Sequence, residues 1–379
     1  MIKQLSYRFS FQHEEGIIRD VFDSTWYCSL LNQNIVIDGV ERDYTYFSHK
    51  HDLVLSLAVD GFLLFDRKHA GPSATPIILQ NLNLPPGIRT HFENIICVGV
   101  IPGPNQRKDL GSFLSPLDDE CALLADGICT YDAQDEIEFS LHGYIMFKNG
   151  DILAIEKLLN IKGHNAYCPC RSCKIKGVRN IGGAGTIYYT PLTTPDVPNQ
   201  TRPSADPNDL PLRSHGEFIH ALEMMNNAST QKEHDDLAKK HGIRGEPALR
   251  QVKSINYAIS APWEWMHLFL KNVVPTLVRH WTGQFKGLDS GTGSYEIEHQ
   301  IWDEIGAETA AAVKEIPSAF VGVLPNIADN RSSPTAEFWG FWFMYIAPIV
   351  LRGHFLHDKY SGSNNCPNVC MFFTKVNKP

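Results

Sequence analysis

The run LVLSLAV, residues 53–59, constrains this chain more than any other stretch. A continuous apolar run of that length reads as a strand buried on both faces. It ends at Asp60-Gly61, a polar residue followed by a turn-former. Two more strand candidates follow, PIILQNL (76–82) and NIICVGVI (94–101), the second stopped by Pro102-Gly103-Pro104. Short polar turns between them predict an antiparallel meander. A helix is expected over 110–128, with Phe113, Leu117, Leu123 and Leu124 on its apolar face. A strand over 137–147 comes next, alternating from Ile137 through Phe139 and Leu141, then Asp151 and a helix over 152–159. The order strand, strand, strand, helix, strand, helix is that of an α/β domain.

The remaining segments differ in character. Residues 1–50 carry no motif; RFSF reads as a strand and WYCSLLNQN as a helix end. Residues 161–250 read as an insertion or subdomain. They hold a Cys/His cluster, GGAG at 182–185, a loop-like Pro/Thr/Asn/Asp-rich stretch over 191–211, and polar helices over 217–227 and 230–240. From Pro262 a helix is expected, with Met266, Leu270, Val273 and Leu277 as a buried stripe and Glu264, His267 and Lys271 on another face. Pro275 should kink it. Further helices are expected over 295–305, 307–316 and 336–351. The division is therefore 1–50, core 51–160, insertion 161–250, helical remainder 251–360 and an atypical tail 361–379.

At 379 residues and 43% hydrophobic, the chain can bury a sizeable core, as two domains or one with a large insertion. No apolar stretch follows a basic leader, so no secretory signal is expected, and the N-x-S/T triplets at Asn199, Asn227 and Asn330 carry no weight. The longest apolar run, residues 338–351, is too short for a bilayer, contains Pro348, and reads as a buried helix. A net charge of -8 by itself speaks against a nucleic-acid binder. Lys162, Arg171, Lys174, Lys176 and Arg179 nevertheless surround the cysteine cluster with no acid among them. Such a run is a solvated face or a nucleic-acid contact.

Nine cysteines without a leader argue against a disulfide framework. Cys168, Cys170, Cys173, Cys366 and Cys370 are bunched, as metal ligands are; Cys28, Cys97, Cys121 and Cys129 are scattered and read as buried thiols. Cys170 and Cys173 make the C-x-x-C loop that supplies two thiolates to structural Zn²⁺. Cys168, His164 and the distant His215 are the candidates to complete its four ligands. Free thiols or a redox pair are the alternatives. Asp60, Asp151 and Glu264 could converge on hard divalent cations, which take a few carboxylates and several waters. Taken singly, Asp60 also fits a turn, Asp151 a helix N-cap, and Glu264 an answer to a helix dipole.

The ordered set VDGFLLF, NLPPGIR, VGVIPGPNQRKDLGSFLSPLDDE, GDILAIEKLLNIKGHNAYCPCRSCKIKG, YYTPL, LPLRSH and PWEWMHLFLKNVVPTL resembles the catalytic region of CACTA (En/Spm)-type DNA transposases. The resemblance covers roughly residues 53–281. It implies an RNase H-like core, a mixed sheet flanked by helices, with a cysteine-bearing, loop-rich insertion and a helical C-terminal part. It also implies a DDE/D triad of Asp60, Asp151 and Glu264 holding Mg²⁺ or Mn²⁺. His267, one turn on from Glu264, would orient it, touch phosphate or be a structural histidine. Cys170 and Cys173 match the insertion's paired cysteines. Water, then a DNA 3′-hydroxyl, would attack phosphodiesters at transposon ends. The implied setting is nuclear, on DNA, as a homo-oligomer, with no membrane and no small-molecule cofactor. Such transposases are usually longer, so a truncated copy is implied. Two readings from other classes stand beside this one. One is a transposase-derived, non-catalytic, zinc-stabilised domain that binds nucleic acid or protein. The other is an unrelated metallohydrolase.

Overall fold

The computed structural model describes residues 2–37, 39–65, 72–103, 110–179, 188–193, 203–284, 296–329, 334–352 and 354. The chain divides into two units, Met1–Pro262 and Trp263–Pro379. GGAG, residues 194–202 of the Pro/Thr-rich stretch, Asn330, Cys366, Cys370 and the tail lie outside the described residues.

The first unit opens with α1 (Ile2–Leu5), α2 (Tyr7–Ser10), α3 (Thr25–Leu30) and a hairpin of β1 (Asn34–Ile37) and β2 (Val40–Thr45). RFSF, expected as a strand, falls in α2. Arg8 there is buried and donates to the carbonyls of Phe47 and His49, so distant backbone acceptors override local preference.

Then come β3 (Leu53–Val59), β4 (Phe62–Leu63), β5 (Ser73–Asn81) and β6 (Ile95–Pro102). They are followed by α4 (Gly111–Asp126), β7 (Ile128–Asp132), β8 (Ile137–Leu141), β9 (Gly143–Asn149) and α5 (Ile152–Leu158). β5 pairs antiparallel with β3, β4 and β6, while β9 lies parallel to β3 on its other side, giving a mixed sheet flanked by helices. The single strand expected over 137–147 is two. β8 pairs with β7 in a separate hairpin, and only β9 enters the core sheet. The alternating half belongs to exposed β8; the run GYIMFK in β9 is wholly buried. Position determines burial in α4 as well. Leu114, Leu117 and Cys121 face the core, whereas Leu123, expected on the apolar face, is exposed.

Two apolar layers sandwich the sheet. On one side Leu55, Leu57, Leu79 and Ile145 pack with Leu114 of α4 and Ile155 of α5. Phe218, Leu222 and Met225 of α6 (His215–Asn226) and Ala238 of α7 (Gln231–His241) join that same cluster. The region read as an insertion thus contributes to the core beside the sheet. On the other side Val54, Tyr144 and Met146 meet Phe22, Tyr27, Leu30, Tyr46 and Phe47. The motif-free N-terminal fifty residues therefore supply a covering layer. Arg89, from NLPPGIR, ties this layer down. Its Nη1 and Nη2 donate to the two carboxylate oxygens of Asp20, each at 2.8 Å.

The second unit holds a π-helical stretch, Met266–Val273, running into α8 (Val274–Trp281), then α9 (His299–Ala312), α10 (Ala336–Phe341), a second π stretch Trp342–Ile346, and α11 (Ala347–Val350). The expected stripe is kept in part: Leu270 and Leu277 pack, half-buried, against the core of this unit, but Met266 is exposed and the fully buried line is Val274, Val278 and Trp281. A π turn takes one extra residue, which rotates everything after it by about 100° and moves burial one position along. Two expected helices, 295–305 and 307–316, are one, α9. Gly306 lies inside it against Asn326 and Ala328, where any Cβ would collide. The long apolar run is buried as expected around Trp342, fully inaccessible, whose Nε1–H donates to Thr309. Among the described residues, no helix is long and apolar enough to cross a membrane.

Two of the four scattered cysteines correct the reading. Cys121 is buried and Cys28 half-buried, but Cys97 and Cys129 are exposed. Both sit on strands most of whose residues are exposed or half-buried, β6 and β7.

Candidate functional site

Parallel pairing of β3 and β9 brings two of the candidate acids together. Ala58 is opposite Asn149, so continuing the register by two residues sets Asp60 opposite Asp151. The Asn149 amide donates to Ser56 Oγ at 2.6 Å and ties the strands near that end. Gly150 makes the close turn possible, since a Cβ there would lie 2.9 Å from the Val59 carbonyl oxygen. Both residues line one cavity of about 150 Å³, with Thr75, Phe113 and Lys157 on its wall. A crevice beyond the carboxyl ends of strands is where open α/β sheets place ligands.

The two acids are held differently. Asp151 is the N-cap of α5, its Oδ1 accepting from Ala154 N–H at 2.6 Å. Its other oxygen takes no hydrogen bond from a described residue. Asp60 is exposed and has no hydrogen-bond partner among the described residues. Three oxygens of the pair thus take no hydrogen bond from a described residue, and an oxygen-only donor set suits a hard cation of the Mg²⁺ class.

Glu264 belongs to the second unit. Its carboxylate closes the start of the π-helical stretch, accepting from the N–H groups of Met266 and His267, each at 2.8 Å. His267 Nδ1 contacts the same carboxylate. Partial burial works against the charge on Glu264, but those N–H groups outweigh it and hold the carboxyl below its usual range. The helix-start reading of Glu264 therefore describes its local bonding, as the N-cap reading does for Asp151.

The cysteine knuckle is built by a strand-like exchange between residues 172–174 and 211–213. Lys174 N–H donates to Pro211 O at 2.7 Å and Arg213 N–H to Ser172 O at 2.9 Å. Cys170 Sγ accepts from the N–H groups of Ser172 and Cys173, both at 3.3 Å. The Cys173 thiol and these N–H groups favour the Cys170 thiolate, lowering its pKa to about 6, and the Cys173 thiol is pushed up in turn. Such N–H···S support suits a metal-binding thiolate loop. Arg213 organises the rest, donating to the carbonyls of Cys170, Cys173 and His241 and to Cys168 Sγ at 3.1 Å. Burial raises the Cys168 thiol, and Arg213 opposes that.

The histidines are engaged elsewhere. His164 bonds Glu156 through Nδ1, and its Nε2 lies 3.0 Å from the Asn165 amide. His215 Nδ1 accepts from Tyr257 N–H at 3.2 Å. Among the described residues, the only His/Cys/acid group of three or more with ligand atoms all within 4.8 Å is His51, Asp132 and Asp135. Reading the chain for motifs misses it, because 81 residues separate His51 from Asp132. The basic residues around the knuckle are only partly available. Arg171 is buried, donating to Pro262 O, and burial lowers its pKa to about 10; Lys174 pairs with Glu217.

No curated protein matches the chain. Residues 37–188 match the model of a family described as transposase family tnp2, a span that holds Asp60, Asp151 and all three knuckle cysteines and ends before Glu264. That match supports a transposase function for the chain.

Proposed function

We propose that this chain carries the catalytic region of a CACTA-type DNA transposase with an RNase H-like core. The observation that carries the reading is the meeting of Asp60 and Asp151 on one cavity at the ends of parallel neighbours β3 and β9. In this reading Asp60 presents both oxygens and Asp151 presents Oδ2 while Ala154 fixes its other oxygen. Glu264, steadied by His267, is the proposed third acid. Bound Mg²⁺ or Mn²⁺ supplies Lewis acidity at phosphate and a more acidic water. Lys157 adds positive charge on the cavity wall, which favours an approaching phosphodiester. The Cys170–Cys173 pair, with Cys168 near it, is the proposed structural zinc knuckle. The proposed partner is DNA at transposon ends, bound by a homo-oligomer in the nucleus.

The test is strand cleavage of DNA bearing the terminal repeats of an element that encodes this chain, with and without Mg²⁺ or Mn²⁺. Cleavage should require the ion and vanish in Asp60→Ala. Activity that survives Asp60→Ala overturns the assignment. A non-catalytic, zinc-stabilised interaction domain is the second reading. It is favoured by the Asp151 cap bond, which accounts for that carboxylate without any ion. DNA binding without cleavage under every ion condition would select it.

A further inference from the structure

We propose that His51, Asp132 and Asp135 form a separate site for a divalent transition ion of the zinc, cobalt or nickel type, which fastens the β7–β8 hairpin to the loop before β3. The site is remote from the acid pair. His51 precedes β3 and Asp60 follows it, and seven strand residues span about 23 Å.

Three observations converge. The first is the donor set: one imidazole and two carboxylates whose ligand atoms all lie within 4.8 Å of one another. Three protein ligands of mixed nitrogen and oxygen type leave positions for water and suit transition ions over Mg²⁺. The second is the state of His51. Phe139 covers its ring at a centroid distance of 4.1 Å, and Nε2 reaches Asp132 Oδ2 at 2.8 Å. Its Nδ1 is buried with no hydrogen-bond partner among the described residues. Nε2 is thus the ring nitrogen aimed at the two carboxylates and the one that would ligate the ion, while Nδ1 lies on the far side of the ring. The third is the turn. Asp132 Oδ1 accepts from the N–H groups of Gln134 at 2.8 Å and Asp135 at 3.3 Å, which folds the second carboxylate back beside the first. The hairpin so closed forms a two-stranded sheet of its own, outside the core sheet. A two-stranded hairpin alone is marginal in water and gains from a clip.

Lys50 competes for the site. Its ammonium pairs with Asp135. An incoming ion replaces that contact, so removing the lysine should strengthen binding.

The experiment is titration of the full chain with Co²⁺ in excess Mg²⁺, which fills oxygen-only sites such as the acid pair. Thiolate-to-cobalt absorption in the near ultraviolet reports the cysteine knuckle separately. The expected result is a Co²⁺ equivalent without thiolate absorption, weakened at least about tenfold by His51→Gln and by Asp135→Asn, and tightened by Lys50→Met. Zn²⁺ should also slow amide exchange across residues 128–141. The Asp135 side chain is 40% exposed, so Asp135→Asn keeps the fold even if His51→Gln does not. Binding indifferent to Asp135→Asn and Lys50→Met, or no equivalent beyond the thiolate one, overturns the proposal. Neither outcome depends on DNA cleavage.

Discussion

Asp151 has two jobs in this account, and two substitutions separate them. As N-cap of α5 it holds Ala154 N–H at 2.6 Å. Asp and Asn cap equally well, while Ala loses about 1 kcal/mol. The helix has only seven residues, and Ile155 and Leu158 anchor it in the core at 1% and 0% exposure. The loss should therefore appear as fraying of the first turn and leave the fold intact. A cost of about 1 kcal/mol raises local opening about fivefold. Amide exchange at Ala154 and Ile155 should accelerate by that factor in Asp151→Ala and by less than about twofold in Asp151→Asn, where only the charge at the helix start is lost. Ion-dependent DNA cleavage should instead collapse in both, because an amide is a poor substitute for a charged ligand. Exchange is the better readout, because two units need not unfold in one step. If Asp151→Asn exchanges as fast as Asp151→Ala, the capping argument fails. If Asp151→Asn cleaves DNA like the parent chain, the ligand argument fails.

Two further predictions concern buried charge. Lys148 is fully buried, donates to Ala248 O, and burial lowers its pKa from 10.5 to about 7. Between those values the unfolded chain binds more protons, so stability should rise with pH by up to about 1.4 kcal/mol per unit. Lys148→Met should flatten that rise in urea midpoints taken from pH 7.5 to 9.5; parallel profiles would show that the ammonium is not desolvated. Arg89→Met should cost about 3–5 kcal/mol, since it strands the Asp20 carboxylate, only 2% exposed. Partial recovery in the double variant with Asp20→Asn is expected, and a single-variant loss below about 1 kcal/mol would rule the pair out as an anchor of the N-terminal layer.

Local pattern determined a good deal of this protein. A seven-residue apolar run that ends at a turn reads as a strand between two layers, and LVLSLAV is one. The turn at Gly150-Asp151, the C-x-x-C loop and the long buried run near Trp342 were legible for the same reason: each is set by neighbours within a few residues. What the tertiary structure alone decided involves partners far apart in sequence. The parallel register of β3 and β9 sets Asp60 beside Asp151, and the closing of that long loop leaves no trace in periodicity. The break at His142, the phase slip of the π stretch before Val274 and the partners of His164 and His215 are of this kind. So is the meeting of His51 with Asp132 and Asp135. Side-chain direction repeats every two or 3.6 residues and is written locally, whereas the identity of the facing residue is fixed only when the whole core packs.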